Sequence, residues 1–307
     1  MMITFQGHLA PHKRIIGFFA VLVAAFAAVA IIGLLVSMLG TFTIGGLQHL
    51  TWSFLTEAPR NSNMEGGIFP AIIGTALLVL IMTILGVPVG TATAIYLNEY
   101  AKQSSVFARS VRFAVNTLAG VPSIVFGLFG VGFFVQFLGK GLDGAVYGDA
   151  NAKVFGEESL LWCSATLAVL TLPVVIVAVE EALRAVPREL REASLALGAT
   201  RWQTIRRVVL PNSLTGILTG SILAVGRGAG EVAAILFVGV AYSMGSDLGL
   251  TEKFMHLGYH LYVLATQSPD VEKALPLQYA TTLVLLALTF LLNFTAIYIR
   301  SQLRRKT

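Results

Sequence analysis

Residues 188–213 read RELREASLALGATRWQTIRRVVLPNS. They form the most charged stretch of a chain that is 56% hydrophobic and only 12% charged. Their local grammar is helical. Pro187 suits a first-turn position, where its missing N–H costs nothing. Arg188 to Leu197 then mixes acids and bases along one helix. Gly198 is the natural stop, because glycine accepts the left-handed conformation at a helix end. Thr200 follows as an N-cap with Gln203 three residues on, which is a capping box. A second helix is expected from Arg201 to Leu210, stopped by Pro211. Trp202, Ile205 and Val209 fall on one face of it, with Arg206 and Arg207 off that face. A helix, a glycine elbow and an amphipathic helix result. An apolar face with no lipid span of its own calls for a partner groove or the membrane surface.

The flanks of this stretch are of another kind. Ordinary soluble domains carry about 25% charged residues, and the mean hydropathy here is +0.79. Runs of about 20 apolar residues cross a bilayer as helices. Six are expected, at 15–39, 68–97, 113–138, 160–179, 214–240 and 277–299. The first run is 25 residues long, beyond the roughly 7–15 of a signal peptide, so it reads as a retained membrane helix. Pro88, Pro122 and Pro173 fall inside runs, which suggests a kinked bundle whose neighbours satisfy the freed carbonyls.

Lysine and arginine set the orientation. Of 21 such residues, fifteen lie in the N-terminal segment, the second and fourth connections and the C-terminal tail. Both termini and the opening stretch are therefore expected in the cytoplasm. Charges dispersed around helix ends do not make a nucleic-acid surface. The connection at 139–159 is rich in glycine and matches no calcium-loop spacing; it is expected to be solvated. His256 and His260 stand four apart, as in two-histidine metal sites, but no third ligand is obvious, and no metal is expected. Cys163 is the only cysteine, which excludes a disulfide framework. No histidine falls within a span, and Ser123 and Cys163 have no evident base, which argues against an intramembrane enzyme. FLGKGLDG has a Gly-Lys but lacks the Ser or Thr and the upstream glycine of a triphosphate-binding loop.

The elbow carries a resemblance. Glu192-Ala193-Ser194, then Gly198, then Val208 and Leu210-Pro211 match the cytoplasmic signature of ABC importer permeases in spacing. Ser replaces the usual second Ala and Val the usual Ile. The resemblance implies an all-α membrane protein: six transmembrane helices in the type I ABC importer permease fold, with a cytoplasmic coupling helix. It implies that Glu192, Ala193, Gly198, Trp202, Leu210 and Pro211 couple the chain to a separate ATPase. ATP and Mg are then bound by that partner, and no cofactor is bound by this chain. Residues 1–67 would hold the first helix and first outer loop, 68–299 a five-helix permease core, and 300–307 a basic cytoplasmic tail.

Arg227 and Glu231, in SILAVGRGAGEVAAILF, fall within the fifth run. Charges at membrane depth cost several kcal/mol unless paired or facing water. On a continuous helix they share a face, with Gly216, Gly220 and Ala234 within about 40° of it. Two readings stand: a packing salt bridge in a small-residue stripe, or the lining of a translocation path. Arg suits phosphate-like oxyanions, because its donor fork matches tetrahedral oxygens. NTLAGVPSIVFGLFG, TGILTGSILAVGRGAGE, AIYLNEYA and the C-terminal LATQSPDVEK through IYIRSQLRR together resemble the permeases of phosphate-specific importers, of the PstA rather than the PstC type. That family commonly has Ala-Leu-Gly-Glu after the arginine, where this chain has Gly228-Ala229-Gly230-Glu231; the Arg-to-Glu spacing is kept. The resemblance implies a PstC-like second permease, a PstB-like ATPase dimer and a PstS-like phosphate-binding protein outside the membrane. A sulfate or molybdate permease is the alternative, and a secondary transporter the more distant one.

Overall fold

The computed structural model describes residues 11–61, 63, 65–102, 104–149, 152–241 and 249–304. Residues 1–10 and the end of the expected basic tail, 305–307, lie outside the described residues. The chain runs α1 (Pro11–Leu47), α2 (Trp52–Thr56), a two-residue antiparallel pair β1 (Pro59–Arg60) and β2 (Glu65–Gly66), then α3 (Phe69–Tyr100) and α4 (Val106–Leu118). It continues with α5 (Ser123–Tyr147), α6 (Leu160–Ala185), α7 (Arg188–Ala196), α8 (Arg201–Ala229), α9 (Leu257–Thr266) and α10 (Val271–Arg304). Six helices, α1, α3, α5, α6, α8 and α10, are long and apolar enough to cross a membrane.

Helix α6 is the most enclosed of the six and packs between α3 and α8. In lipid, helices gain little by burying leucine, so association depends on close approach of small residues. Gly86 and Gly90 of α3 meet Ala168 and Val175 of α6; a Cβ on Gly90 would stand 2.7 Å from Val175 Cγ1. Gly216 and Gly220 of α8 meet Ala182 and Ala178 on the same helix. Helix α10 joins α8 along its half beyond Pro211, where Arg300 donates to Thr219 Oγ1 at 2.9 Å. Helix α1 lies on α10, its Gly45 and Gly46 seated against Tyr279.

Three expectations are corrected. The third run, 113–138, is two elements: α4 ends at Leu118 and α5 begins at Ser123. Pro122 biases the preceding residue away from helical angles, which divides the apolar run. Helix α5 then extends into the expected loop as far as Tyr147. Asp143 there is not solvated. It is buried and accepts backbone N–H bonds from Val154, Phe155 and Gly156 at 3.2, 2.8 and 2.8 Å.

The fifth run is also shorter than its hydropathy. Helix α8 stops at Ala229, and the apolar residues beyond it form turns whose Ala234, Ile235 and Val238 are buried in the core. Irregular backbone at such depth is tolerated only inside protein, with its polar groups satisfied. Here Ser159 N donates to Val238 O at 3.0 Å, Ala241 N to Phe254 O at 2.8 Å and Leu257 N to Thr75 Oγ1 at 2.9 Å.

Candidate functional site

Two places hold the residues the sequence singles out, and α8 joins them. The first is the elbow. Helix α7 starts behind Pro187, which gives no side-chain cap. Arg191 ties that start to the bundle: Nη1 donates to Val186 O at 2.6 Å, and Nη2 to Leu183 O at 2.7 Å and Glu99 Oε1 at 3.0 Å. Glu99 ends α3, so one arginine joins α3, α6 and α7. Beside it, Glu180 of α6 takes Arg112 and Arg184, each at 3.3 Å. Sequence reasoning counted these arginines as topology markers. Their partners are up to 92 residues away, beyond any local pattern.

The turn itself is as expected. Gly198 has φ +82°, which suits glycine. Thr200 N donates to Gln203 Oε1 at 2.8 Å and Gln203 N to Thr200 Oγ1 at 3.3 Å, completing the capping box. Ser194, where the signature has alanine, lies 3.0 Å from Thr204 through the two hydroxyls. That bond closes the elbow.

The second helix departs from expectation twice. It is not stopped by Pro211; it continues as α8 to Ala229. The turns at Ile205–Val209 widen just before the proline, which makes room for its ring against the carbonyl four residues back. Asn212 Nδ2 donates to Val208 O at 2.6 Å. The expected apolar face also divides. Ile205 and Val209 are buried within the chain, whereas Trp202 is 54% exposed. Trp202 stands out with Leu195 and Leu197, the latter 89% exposed. Glu192, Ala193 and Gly198 are exposed at the same elbow, while Leu210 and Pro211 lie half-buried inside α8.

The second place is the far end of α8. Arg227 lies in its last turn, where a cation complements the helix dipole, and its side chain is exposed. Glu231 falls beyond the helix, half-buried, its N–H bonded to Gly228 O at 3.3 Å. The two do not form an ion pair. The shared helix face is therefore corrected, because Glu231 is not helical. The small-residue stripe is corrected too: Gly216 and Gly220 are packed on α6, and Ala234 is in the core. Sequence reasoning missed Asn293 of α10. It sits against Gly226, where a Cβ would come within 3.3 Å of its Nδ2, and its Oδ1 is buried without a hydrogen-bond partner. A lone asparagine in the last apolar run was the available signal.

His256 and His260 are both buried at the end of the bundle away from the elbow. His256 caps α9, its Nδ1 accepting from Gly258 N at 3.2 Å. Burial pushes both imidazoles down to about 4. No third His, Cys, Asp or Glu joins them as a metal ligand among the described residues.

A family model described as the binding-protein-dependent transport system inner membrane component matches residues 86–306. The chain is 32% identical over 274 residues to a probable ABC transporter permease protein, YqgI, of Bacillus subtilis, covering 85% of this chain and 86% of that one. It is 35% identical over 253 residues to the phosphate transport system permease protein PstA of Yersinia pestis, covering 82% and 78%. Its fold matches a chain of a bacterial ABC transporter involved in the import of alginate, with TM-score 0.63 at 15% identity, over 94% of this chain and 96% of that one.

Proposed function

The chain belongs to the family of binding-protein-dependent transport system inner membrane components, and from that premise we propose that it is the permease subunit of an ATP-driven phosphate importer. It is a multi-pass membrane protein. The observation that carries the choice of substrate is Arg227: exposed, without a carboxylate partner, and lodged in a membrane-crossing helix. Such a cation is costly in lipid and is at home facing a wet path or an anion. Its donor fork suits a tetrahedral oxyanion. Similarity to a phosphate transport permease supports the same substrate.

In this reading the path is completed by a second, PstC-like permease, with Arg227 on the shared surface. Glu231 stands nearby as a separate carboxylate that limits how tightly the anion is held. The elbow and both termini face the cytoplasm, in keeping with the lysine and arginine excess on that side. A PstB-like ATPase dimer binds ATP and Mg and receives Trp202, Leu197 and their neighbours in a groove. A PstS-like binding protein delivers phosphate at the opposite face. ATP-driven closure of the dimer moves the elbows together and shifts the bundle between two states of access.

The test is uptake by vesicles holding the four components. Labelled phosphate should enter only with internal ATP, and excess sulfate should not compete. Equal competition by sulfate would favour a general oxyanion permease, and uptake without ATP would reject the proposal.

A further inference from the structure

Between the elbow and the bundle lies a cavity of about 660 Å³, walled by the end of α3, Arg112 of α4, Arg184 of α6 and the first turns of α7. Four guanidinium groups line it, from Arg112, Arg184, Arg188 and Arg191, against the carboxylates of Glu99 and Glu192. The cations are unequally served. Arg191 is committed to Glu99 and two carbonyls. Arg112 and Arg184 share one carboxylate, Glu180, and Arg112 Nη2 also donates to Leu97 O at 2.9 Å. Arg188 has no ion-pair partner. The Nε of Arg112 is buried with no hydrogen-bond acceptor. Helix α7 opens at the same place without a side-chain cap, so its first N–H groups and the positive end of its dipole add to the field.

Arg112 Nε is a buried donor with no acceptor, which is costly, while Arg184 and Arg188 stand exposed at the cavity's open side with more positive charge than the nearby carboxylates match, so an anion completes the set. The space is far larger than one water needs. We propose that this cavity binds a phosphate group, gripped by Arg112, Arg184 and Arg188. A tetrahedral dianion accepts from several forks at once, and arginine supplies them in fixed geometry. The site is separate from Arg227, which lies at the other end of α8 and does not line the cavity; it stands whether or not Arg227 touches the transported ion. Its occupant bridges α4, α6 and α7 and so stiffens the elbow. The phosphate group has two possible sources with the same chemistry: free inorganic phosphate, or the headgroup of an anionic lipid at the interface.

The test uses the full chain, purified in detergent and titrated with inorganic phosphate by calorimetry. Saturable binding is expected, weakened at least tenfold in R184Q/R188Q and partly in R112K. Melting temperatures without phosphate, compared with the parent, establish that these variants fold. The same loss on R184Q/R188Q is expected in the R227A background, where the transport path contributes no arginine to phosphate binding. The titration is repeated in nanodiscs of phosphatidylcholine alone and with added phosphatidylglycerol. Binding in both assigns the site to free phosphate. Binding abolished by phosphatidylglycerol, and only while Arg184 and Arg188 are present, assigns it to the lipid headgroup. Absence of binding in every membrane, or parent-like affinity in R184Q/R188Q, would each overturn the proposal.

Discussion

The hydroxyls of Ser194 and Thr204 meet at 3.0 Å across the elbow, joining the last turn of α7 to the first of α8. Thr204 is buried, so its hydroxyl loses its cross-elbow partner if Ser194 goes. Ser194→Ala is expected to cost about 1 kcal/mol, seen as a lower melting temperature in detergent. Thr204→Val in the Ser194→Ala background should recover most of that loss, since both polar groups are then gone.

Gly198 is a purer case of backbone constraint. A Cβ there meets no atom within 4 Å, so only φ +82° opposes substitution. A residue with a side chain costs about 1–2 kcal/mol in that region, and Asn less. Gly198→Val should abolish capture of the ATPase in a pull-down while membrane insertion is normal. Gly198→Asn should retain capture.

Arg227→Ala is expected to abolish uptake with the complex intact on size exclusion. Because Arg227 and Glu231 are not paired, the double variant with Glu231→Gln should show a coupling energy for phosphate binding below about 0.5 kcal/mol. A coupling several times larger would mean that the two act as one ion pair.

Arg191 holds three elements through one side chain, and Glu99 is largely enclosed beneath it. Arg191→Met leaves that carboxylate without its cation, with only the Asn98 amide still donating to it at 2.8 Å, and takes a donor from Val186 O and Leu183 O. A loss of roughly 3 kcal/mol is expected, measured by thermal melting. Arg191→Lys should fall between, because lysine keeps the charge but loses the fork.

His256 and His260 predict a pH dependence with a fixed sign. Burial lowers both in the fold from 6.5 to about 4. Above pH 6.5 folded and unfolded chains alike hold them neutral. Below it the unfolded chain takes up protons that the folded chain refuses, so stability falls as pH drops toward 4. The loss approaches about 3 kcal/mol per histidine. Melting temperature should therefore drop between pH 7 and pH 5, and drop less in His260→Leu.

What the sequence disclosed was what short range decides. The Thr200–Gln203 box and the left-handed Gly198 rest on neighbours three or four residues apart, and both stand in the structure. Most of the six crossings were legible because lipid demands long apolar runs. Hydropathy does not record backbone shape, however. Residues 230–240 are as apolar as a span and are not helical; Ala234, Ile235 and Val238 among them turn into the core. For the same reason Glu231 was placed on a helix face it does not share. Which side of the elbow is covered depends on contacts across the bundle, so Ile205 and Val209 were grouped with Trp202 although the fold buries only the first two. The Arg191–Glu99 tie spans 92 residues and has no local signature. The break at Pro122 was there to be read, and the run of apolar letters around it obscured it.

The uninterrupted course of α8 past Pro211 has a mechanical outcome. The regular α-helical part runs from Leu210 to Ala229, so at 1.5 Å per residue about 24 Å separates Pro211 from Arg227. Tilting that part by about 10° about its proline end swings the guanidinium sideways by roughly 4 Å. The widened turns at Ile205–Val209 put any bend beside the tryptophan and leave the length that reaches the arginine unbroken.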